Sequence, residues 1–312
     1  MREVIDGKAV AADVRDALTD SIETLEDEGA TPGLATVLMS DDPASETYVS
    51  MKQQDCEEVG IESVHVEIDP NAPAEELYGT IEDLNDDPDI HGVLVQMPVP
   101  DHVDDRRVLR AINPVQDVDG FHPENVGRLV AGNDRYRPCT PHGIQKLLEA
   151  YGVETEGAEA VIVGRSDIVG KPLANLLLQK RDDGNATVTV CHSRTDDLAA
   201  KTRGADILVA AAGRPEFIDG EMVGEGATVV DVGVNRVDVS ERRLEGSQTE
   251  SDEADTDKGY ELVGDVDYEA VEPKADYITP VPGGVGPMTR AMLLYNTVKA
   301  ASRQTDVPVD LS

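Results

Sequence analysis

The chain has 312 residues, 39% hydrophobic but only 3% aromatic and without Trp, enough for two domains with cores of Val, Ile, Leu and Ala. Its 63 acidic and 27 basic residues leave a formal net charge of -36, which argues against nucleic acid or an anionic membrane as partner, since both are repelled. The acids are spread along the whole chain, the pattern of a surface adapted to high salt, where screening removes most self-repulsion. No apolar run approaches the roughly 18 residues of a membrane span, and no signal-peptide pattern opens the chain, so a cytoplasmic location is expected. Cys56, Cys139 and Cys191 lack the paired spacing of a zinc site or a disulfide framework and read as small buried side chains, with no metal site expected.

Helical and strand patterns alternate throughout, which predicts an α/β fold of two domains with doubly wound, mainly parallel sheets. A first helix is expected over 7–28, closing at Gly29, and an apolar strand over 34–40. Asp42 then caps a helix that Pro43 starts and Gly60 ends. Tyr48 and Lys52 lie one turn apart on it, so a phenol and an ammonium share one face. Such a pair is ordinary on an exposed helix, yet lysine is scarce here, nine against eighteen arginines, and its proton is one an enzyme can use. A strand over 63–69, a helix over 74–85 and a strand over 90–97 follow, the last ending at Pro98-Val-Pro100.

After a helix over 104–112, the polar stretch 113–138 reads as a long functional loop. A helix from Thr140 to about 151 opens a second α/β series, with strands over 158–163, 186–191, 205–211 and 227–232. Residues 240–258 are acidic and aperiodic and read as a solvated surface loop. The element 277–284 and a helix from Pro287 to about 302 complete the chain.

The segment Ala160-Val-Ile-Val-Gly-Arg-Ser-Asp-Ile-Val-Gly-Lys-Pro172 is a strand, a tight turn and a helix start, which suits a dinucleotide phosphate and equally suits a structural turn. Ser166 stands where the usual G-x-G-x-x-G pattern has its second glycine. The next strand ends Val190-Cys-His-Ser-Arg194, where an NAD site usually carries an acid. Ser193 and Arg194, with Arg165 across the turn, offer donors and positive charge for a 2′-phosphate, so NADP is expected over NAD.

Gln96, Asp119 and the glycine loop 283–286 join the Tyr48/Lys52 pair near predicted strand ends, where open α/β sheets bind ligands. Each also has a plain reading: Gln96 satisfies loop amides, Asp119 shapes a turn before Gly120, and the glycines permit a sharp bend.

Taken together, Tyr48-x-x-x-Lys52, Val93-Leu-Val-Gln-Met-Pro98, Asp117-Val-Asp-Gly-Phe121, Pro138-Cys-Thr-Pro141, Gly164-Arg-Ser-Asp-Ile-Val-Gly-Lys-Pro172 and Pro282-Gly-Gly-Val-Gly-Pro-Met-Thr289 resemble bifunctional methylenetetrahydrofolate dehydrogenase/methenyltetrahydrofolate cyclohydrolase, the FolD family. The resemblance implies NADP-dependent oxidation of 5,10-methylenetetrahydrofolate, hydrolysis of the methenyl product to 10-formyltetrahydrofolate, and a homodimer. It implies a folate-binding catalytic domain over 1–139, completed by 277–305, and a Rossmann-like NADP domain over 140–276. It further implies Lys52 as general acid/base, Tyr48 stacking on or orienting the substrate, Gln96 holding the Lys52 amine and Asp119 accepting from the pterin. Pro282, Gly283 and Gly284 then wall the folate side, and Gly164, Arg165, Ser166, Ser193, Arg194 and Val234 adjoin the cofactor.

Two positions depart from the family pattern. Gln116 stands where Lys is usual, and Met39-Ser40 where Val-Gly is usual. A monofunctional NADP dehydrogenase would ask less of a proton shuttle than this chain offers. A non-catalytic nucleotide-binding protein would have lost the polar set that is intact here. A related shikimate- or amino-acid-type dehydrogenase would need a carboxylate-binding Arg or Lys cluster, which the first domain lacks.

Overall fold

The computed structural model describes residues 2–238 and 259–311. They fall into two units, Ala9–Gly143 with Thr289–Ser312 and Met1–Lys8 with Ile144–Met288. In chain order the elements are β1 (Glu3–Val4), α1 (Gly7–Asp27), β2 (Gly33–Leu38), α2 (Pro43–Val59), β3 (Glu62–Glu67), α3 (Ala74–Asp86), β4 (Gly92–Val95), α4 (Asp105–Ala111), α5 (Pro123–Val130) and α6 (Cys139–Ala150). They continue as β5 (Glu159–Val163), α7 (Gly170–Leu177), β6 (Thr187–Cys191), α8 (Leu198–Thr202), β7 (Ile207–Ala210), β8 (Thr228–Asp231), β9 (Asn235–Asp238), β10 (Tyr260–Val263), β11 (Tyr277–Ile278) and the C-terminal helix Val285–Thr305.

In the first unit, β2 is buried along its whole length because it is the centre of a parallel sheet in the order β3-β2-β4. Its side chains Ala35 and Val37 pack with Leu77 and Ile81 of α3, Val93 and Val95 of β4 and Val108 of α4. The edge strand β3 alternates, as half-exposed strands do. Helix α2 begins and ends as its sequence dictates. Asp42 accepts from Ala44 N at 3.2 Å, Pro43 has no N–H that needs an acceptor, and Gly60 closes the helix at φ 86°, a conformation glycine adopts without strain. The stretch 113–138 is not a single loop: His122 caps α5 by accepting from Glu124 N, and Pro123 sets its first turn.

The second unit holds a six-stranded parallel sheet, β1-β11-β8-β7-β5-β6, and a separate antiparallel hairpin of β9 and β10. Val161, Val163, Leu208, Ala210, Val229 and Ile278 form its core, each Val or Leu contributing on the order of 1.5–3 kcal/mol by burial. The division between units differs from the boundaries expected from sequence. Residues 277–288 belong here because Tyr277 and Ile278 pair with Thr228 and Val229, and Glu3 and Val4 in turn pair with Tyr277 and Ile278. Two-residue strands carry too short a pattern to be read from sequence. The C-terminal helix joins the first unit from Thr289 onward. The acidic stretch 240–258 lies outside the described residues.

Candidate active site

Helix α2 buries Ser45, Val49, Lys52, Asp55, Cys56 and Val59, the stripe on which an amphipathic helix normally carries apolar side chains. Lys52 and Asp55 therefore occupy core positions. Lys52 is only 6% exposed, and its Nζ donates to Gln96 Oε1 at 3.0 Å. Gln96, one residue beyond β4, is oriented for this by its own Nε2, which donates to Met97 O at 2.9 Å. The Lys52 ammonium also lies 5.2 Å from the centre of the half-buried Tyr48 ring. Burial pushes the Lys52 pKa down from the ordinary lysine value, and the Asp119 carboxylate pulls the other way. Burial raises Asp119, with Lys52 opposing, and raises Tyr48, with Arg290 opposing.

The two aspartates of Asp117-Val-Asp-Gly120 have different tasks. Asp117 is 1% exposed and accepts from Phe121 N (3.2 Å), His122 N (2.8 Å) and Asn125 Nδ2 (2.7 Å), so it builds the turn into α5. Burial nevertheless pushes its pKa up to about 6. Asp119 is free of that scaffolding and faces the electrostatic field of Lys52. Gly120, at φ 76°, makes the bend between them and the next segment.

Cys139, which reads from sequence as a plain buried side chain, hydrogen-bonds Asp119 and lies 3.6 Å from Val118 O. Burial holds its thiol well above the usual cysteine pKa, so it acts as a neutral donor. Asn296 on the C-terminal helix donates to Val118 O (2.7 Å) and Arg137 O (2.9 Å), tying both flanks of the Asp119 loop together. Arg290 on the same helix pairs with Asp55 at 2.9 Å and reaches Met51 O at 3.4 Å, which clamps α2. Pro138-Cys-Thr-Pro141 and the helix after Pro287 were visible in the sequence, but their contacts join positions more than 150 residues apart.

The departures from the family pattern are structural. Gln116 Nε2 donates to Ile90 O (2.7 Å) and Leu84 O (3.3 Å), and Ser40 Oγ accepts from Asp42 N at 3.1 Å.

The second unit contains the glycine turn that follows β5. Gly164 follows β5 at φ 144°, and a Cβ there would overlap Ala211 O, so the turn depends on glycine. Ser166 Oγ accepts from Val169 N (3.1 Å) and Gly170 N (3.4 Å) at the start of α7. Beyond β6, His192 N donates to Thr195 Oγ1 at 2.8 Å and His192 Nδ1 accepts from Arg194 N at 3.1 Å, a tight turn that presents Ser193 and Arg194 to solvent. Arg165 is exposed as well. Exposed guanidinium groups beside a glycine turn at the end of neighbouring parallel strands form a donor set that fits a dinucleotide with a 2′-phosphate. Val234 lies beyond the end of β8 and is 64% exposed.

The predicted residues thus divide between the units, Tyr48, Lys52, Gln96 and Asp119 lying in the first and Gly164, Arg165, Ser166, Ser193, Arg194 and Val234 in the second. Pro282, Gly283 and Gly284 belong to the second unit, where Val281–Pro282 is a cis peptide and a Cβ on Gly7 would overlap Gly284 O.

Family models describe these two parts separately. The tetrahydrofolate dehydrogenase/cyclohydrolase catalytic domain matches residues 5–119, and the NAD(P)-binding domain of the same enzymes matches residues 138–305. The bifunctional protein FolD of Natronomonas pharaonis is 70% identical over 100% of both chains, and FolD 1 of Haloarcula marismortui is 69% identical over 100% of both. These relatives from halophilic archaea agree with a chain from a salt-adapted organism. Among solved structures, the Trypanosoma brucei methylenetetrahydrofolate dehydrogenase-cyclohydrolase, complexed with NADP and an inhibitor, is 39% identical with a TM-score of 0.87, covering 97% of this chain and 98% of its own. The chain belongs to the tetrahydrofolate dehydrogenase/cyclohydrolase (FolD) family.

Proposed function

We propose that this chain oxidises 5,10-methylenetetrahydrofolate with NADP and hydrolyses the methenyl product to 10-formyltetrahydrofolate, with Lys52 moving the protons of the hydrolytic step. The observation that carries the assignment of Lys52 is its buried Nζ, 3.0 Å from Gln96 Oε1. A lysine whose charged form is disfavoured by burial spends more of its time as a free amine near neutral pH, where it can take a proton from water and return it. An arginine at the same place would keep its proton.

NADP, when bound, supplies the hydride acceptor of the first reaction. The chain's own part in that reaction is positioning. Arg165, Ser193 and Arg194 hold the 2′-phosphate, Gly164 and Ser166 shape the turn that admits the phosphates, and Val234 packs near the cofactor. Tyr48 sets the folate ring in place, Asp119 accepts from pterin N–H groups, and Pro282, Gly283 and Gly284 line the folate. Gln96 fixes the direction of the Lys52 lone pair by occupying one of its protons. The protein works as a homodimer in the cytoplasm, with tetrahydrofolate derivatives as its small-molecule partners. No helix among the described residues is long and apolar enough to cross a membrane.

The test is an assay in molar KCl with methylenetetrahydrofolate and NADP, following NADPH and methenyl absorbance together. NADPH should accumulate while the methenyl signal stays transient; lasting methenyl accumulation would show a monofunctional dehydrogenase. Lys52→Ala should abolish hydrolysis of supplied methenyltetrahydrofolate and leave the NADP dissociation constant unchanged. Equal loss of NADP binding would show that Lys52 has another task. Sedimentation in the same buffer should give twice the chain mass.

A further inference from the structure

Two aspartates with no part in the proton transfer are buried at one end of the six-stranded sheet. Asp231 closes β8 and accepts from the backbone N–H groups of Gly233, Asp265 and Val266, each at 2.9 Å. Asp265, with 0% exposure, accepts from three successive backbone N–H groups, Ala212 (2.6 Å), Gly213 (2.9 Å) and Arg214 (2.9 Å), and from Asn235 Nδ2 at 2.9 Å. These donors are all amides, converging on two carboxylates in the manner of a backbone anion nest. The room is reserved for them: a Cβ on Gly233 would overlap Asp265 Oδ1, and one on Gly264 would overlap Asp231 Oδ2.

The segment held by Asp265 has a particular address. Residues 211–214 follow β7, and the glycine turn 164–166 follows β5. Strand β5 pairs with β6 on one side and β7 on the other, so the sheet order reverses between β5 and β7. Open parallel sheets bind dinucleotides at that switch point. Ala211 O lies against Gly164 where any side chain would clash, so the two loops touch directly at the ends of β5 and β7. Three consecutive N–H groups with Gly213 at φ 63° would themselves attract a phosphate, but Asp265 already fills them.

We infer that Asp265 is a positioning residue for the dinucleotide: by gripping residues 212–214 it fixes the loop that abuts the glycine turn and sets affinity for the part that NADP and NAD share. Asp231 supports it by holding the backbone N–H groups of Asp265 and Val266. The inference rests on the cofactor reading above.

Calorimetric titration of Asp265→Asn with NADP and with NAD tests it. Both dissociation constants should rise about tenfold or more, with their ratio unchanged. Hydrolysis of supplied methenyltetrahydrofolate, which consumes no NADP, should persist. In the dehydrogenase assay KM for NADP should rise and KM for the folate should not. An NADP dissociation constant within about twofold of wild type, or a change confined to the NADP/NAD ratio, overturns the inference. Should the variant fail to fold, amide hydrogen exchange on the wild type decides: protection of residues 212–214 equal to that of β7 supports the grip, and exchange as fast as an open turn overturns it. A wild-type protein that binds no NADP would sink the cofactor reading itself, a distinct result.

Discussion

At the scale of single residues, burial changes what Lys52 is. A lysine on a solvated helix face is a hydrated cation, whereas the same side chain on the core stripe of α2 loses hydration and is partly compensated by Gln96 and Asp119. The amide at position 96 is suited to this because it accepts from the amine without adding charge. Gln96→Glu puts a carboxylate at about the same point, which favours the ammonium and raises the Lys52 pKa. The free amine then appears only at higher pH. The acid limb of the cyclohydrolase pH profile should move upward by about one unit or more, which corresponds to about 1.4 kcal/mol per unit. A profile that stays in place would show that the proton on Lys52 does not limit hydrolysis.

At the scale of elements, α2 delivers Tyr48 and Lys52 to one point only because it is fixed along its length. Asp42 holds its first turn, Gly60 ends it, and Arg290 of the C-terminal helix clamps its middle through Asp55 and Met51 O. Asp55 is buried, and desolvation raises its pKa while Arg290 lowers it. A raised carboxyl contributes stability that is present at low pH and lost as pH rises through its folded pKa. Arg290→Met removes the opposing cation, so that loss should grow. The variant should match wild type in acid and fall behind near neutral pH by roughly 2–3 kcal/mol, below the full cost of breaking a buried pair because the arginine keeps some solvent contact. Denaturant titrations at several pH values check this, and adding Asp55→Ala should restore most of the deficit.

At the scale of the whole molecule, a net charge of -36 makes the fold depend on its solvent. The Debye length shortens from about 10 Å at 0.1 M salt to about 3 Å at 1 M, so acidic side chains on neighbouring elements repel strongly in dilute buffer and little in concentrated salt. The melting temperature should rise by several degrees or more between 0.1 M and molar KCl, with activity following it. A melting temperature independent of KCl would remove the salt-adaptation reading, whereas an equal rise with an uncharged osmolyte would assign the effect to exclusion from the surface instead.

The amino-acid sequence by itself determined the alternating α/β order, the caps and bounds of α2, the buried parallel strands β2, β5, β7 and β8, and the motifs that mark the family, because these depend on periodicity and on local backbone chemistry. It also brought Tyr48, Lys52, Gln96 and Asp119 under suspicion as a set. Only the tertiary structure decided that Lys52 lies in the core stripe, that Cys139 and Asn296 brace the Asp119 loop, that Asp117 is scaffolding, and that β1 and β11 complete the six-stranded sheet. Burial and long-range amide pairing are properties of what the chain folds against. A Tyr-x-x-x-Lys pair has the same pattern on an exposed face as on a buried one, so its chemistry comes from the neighbours that remove water from it.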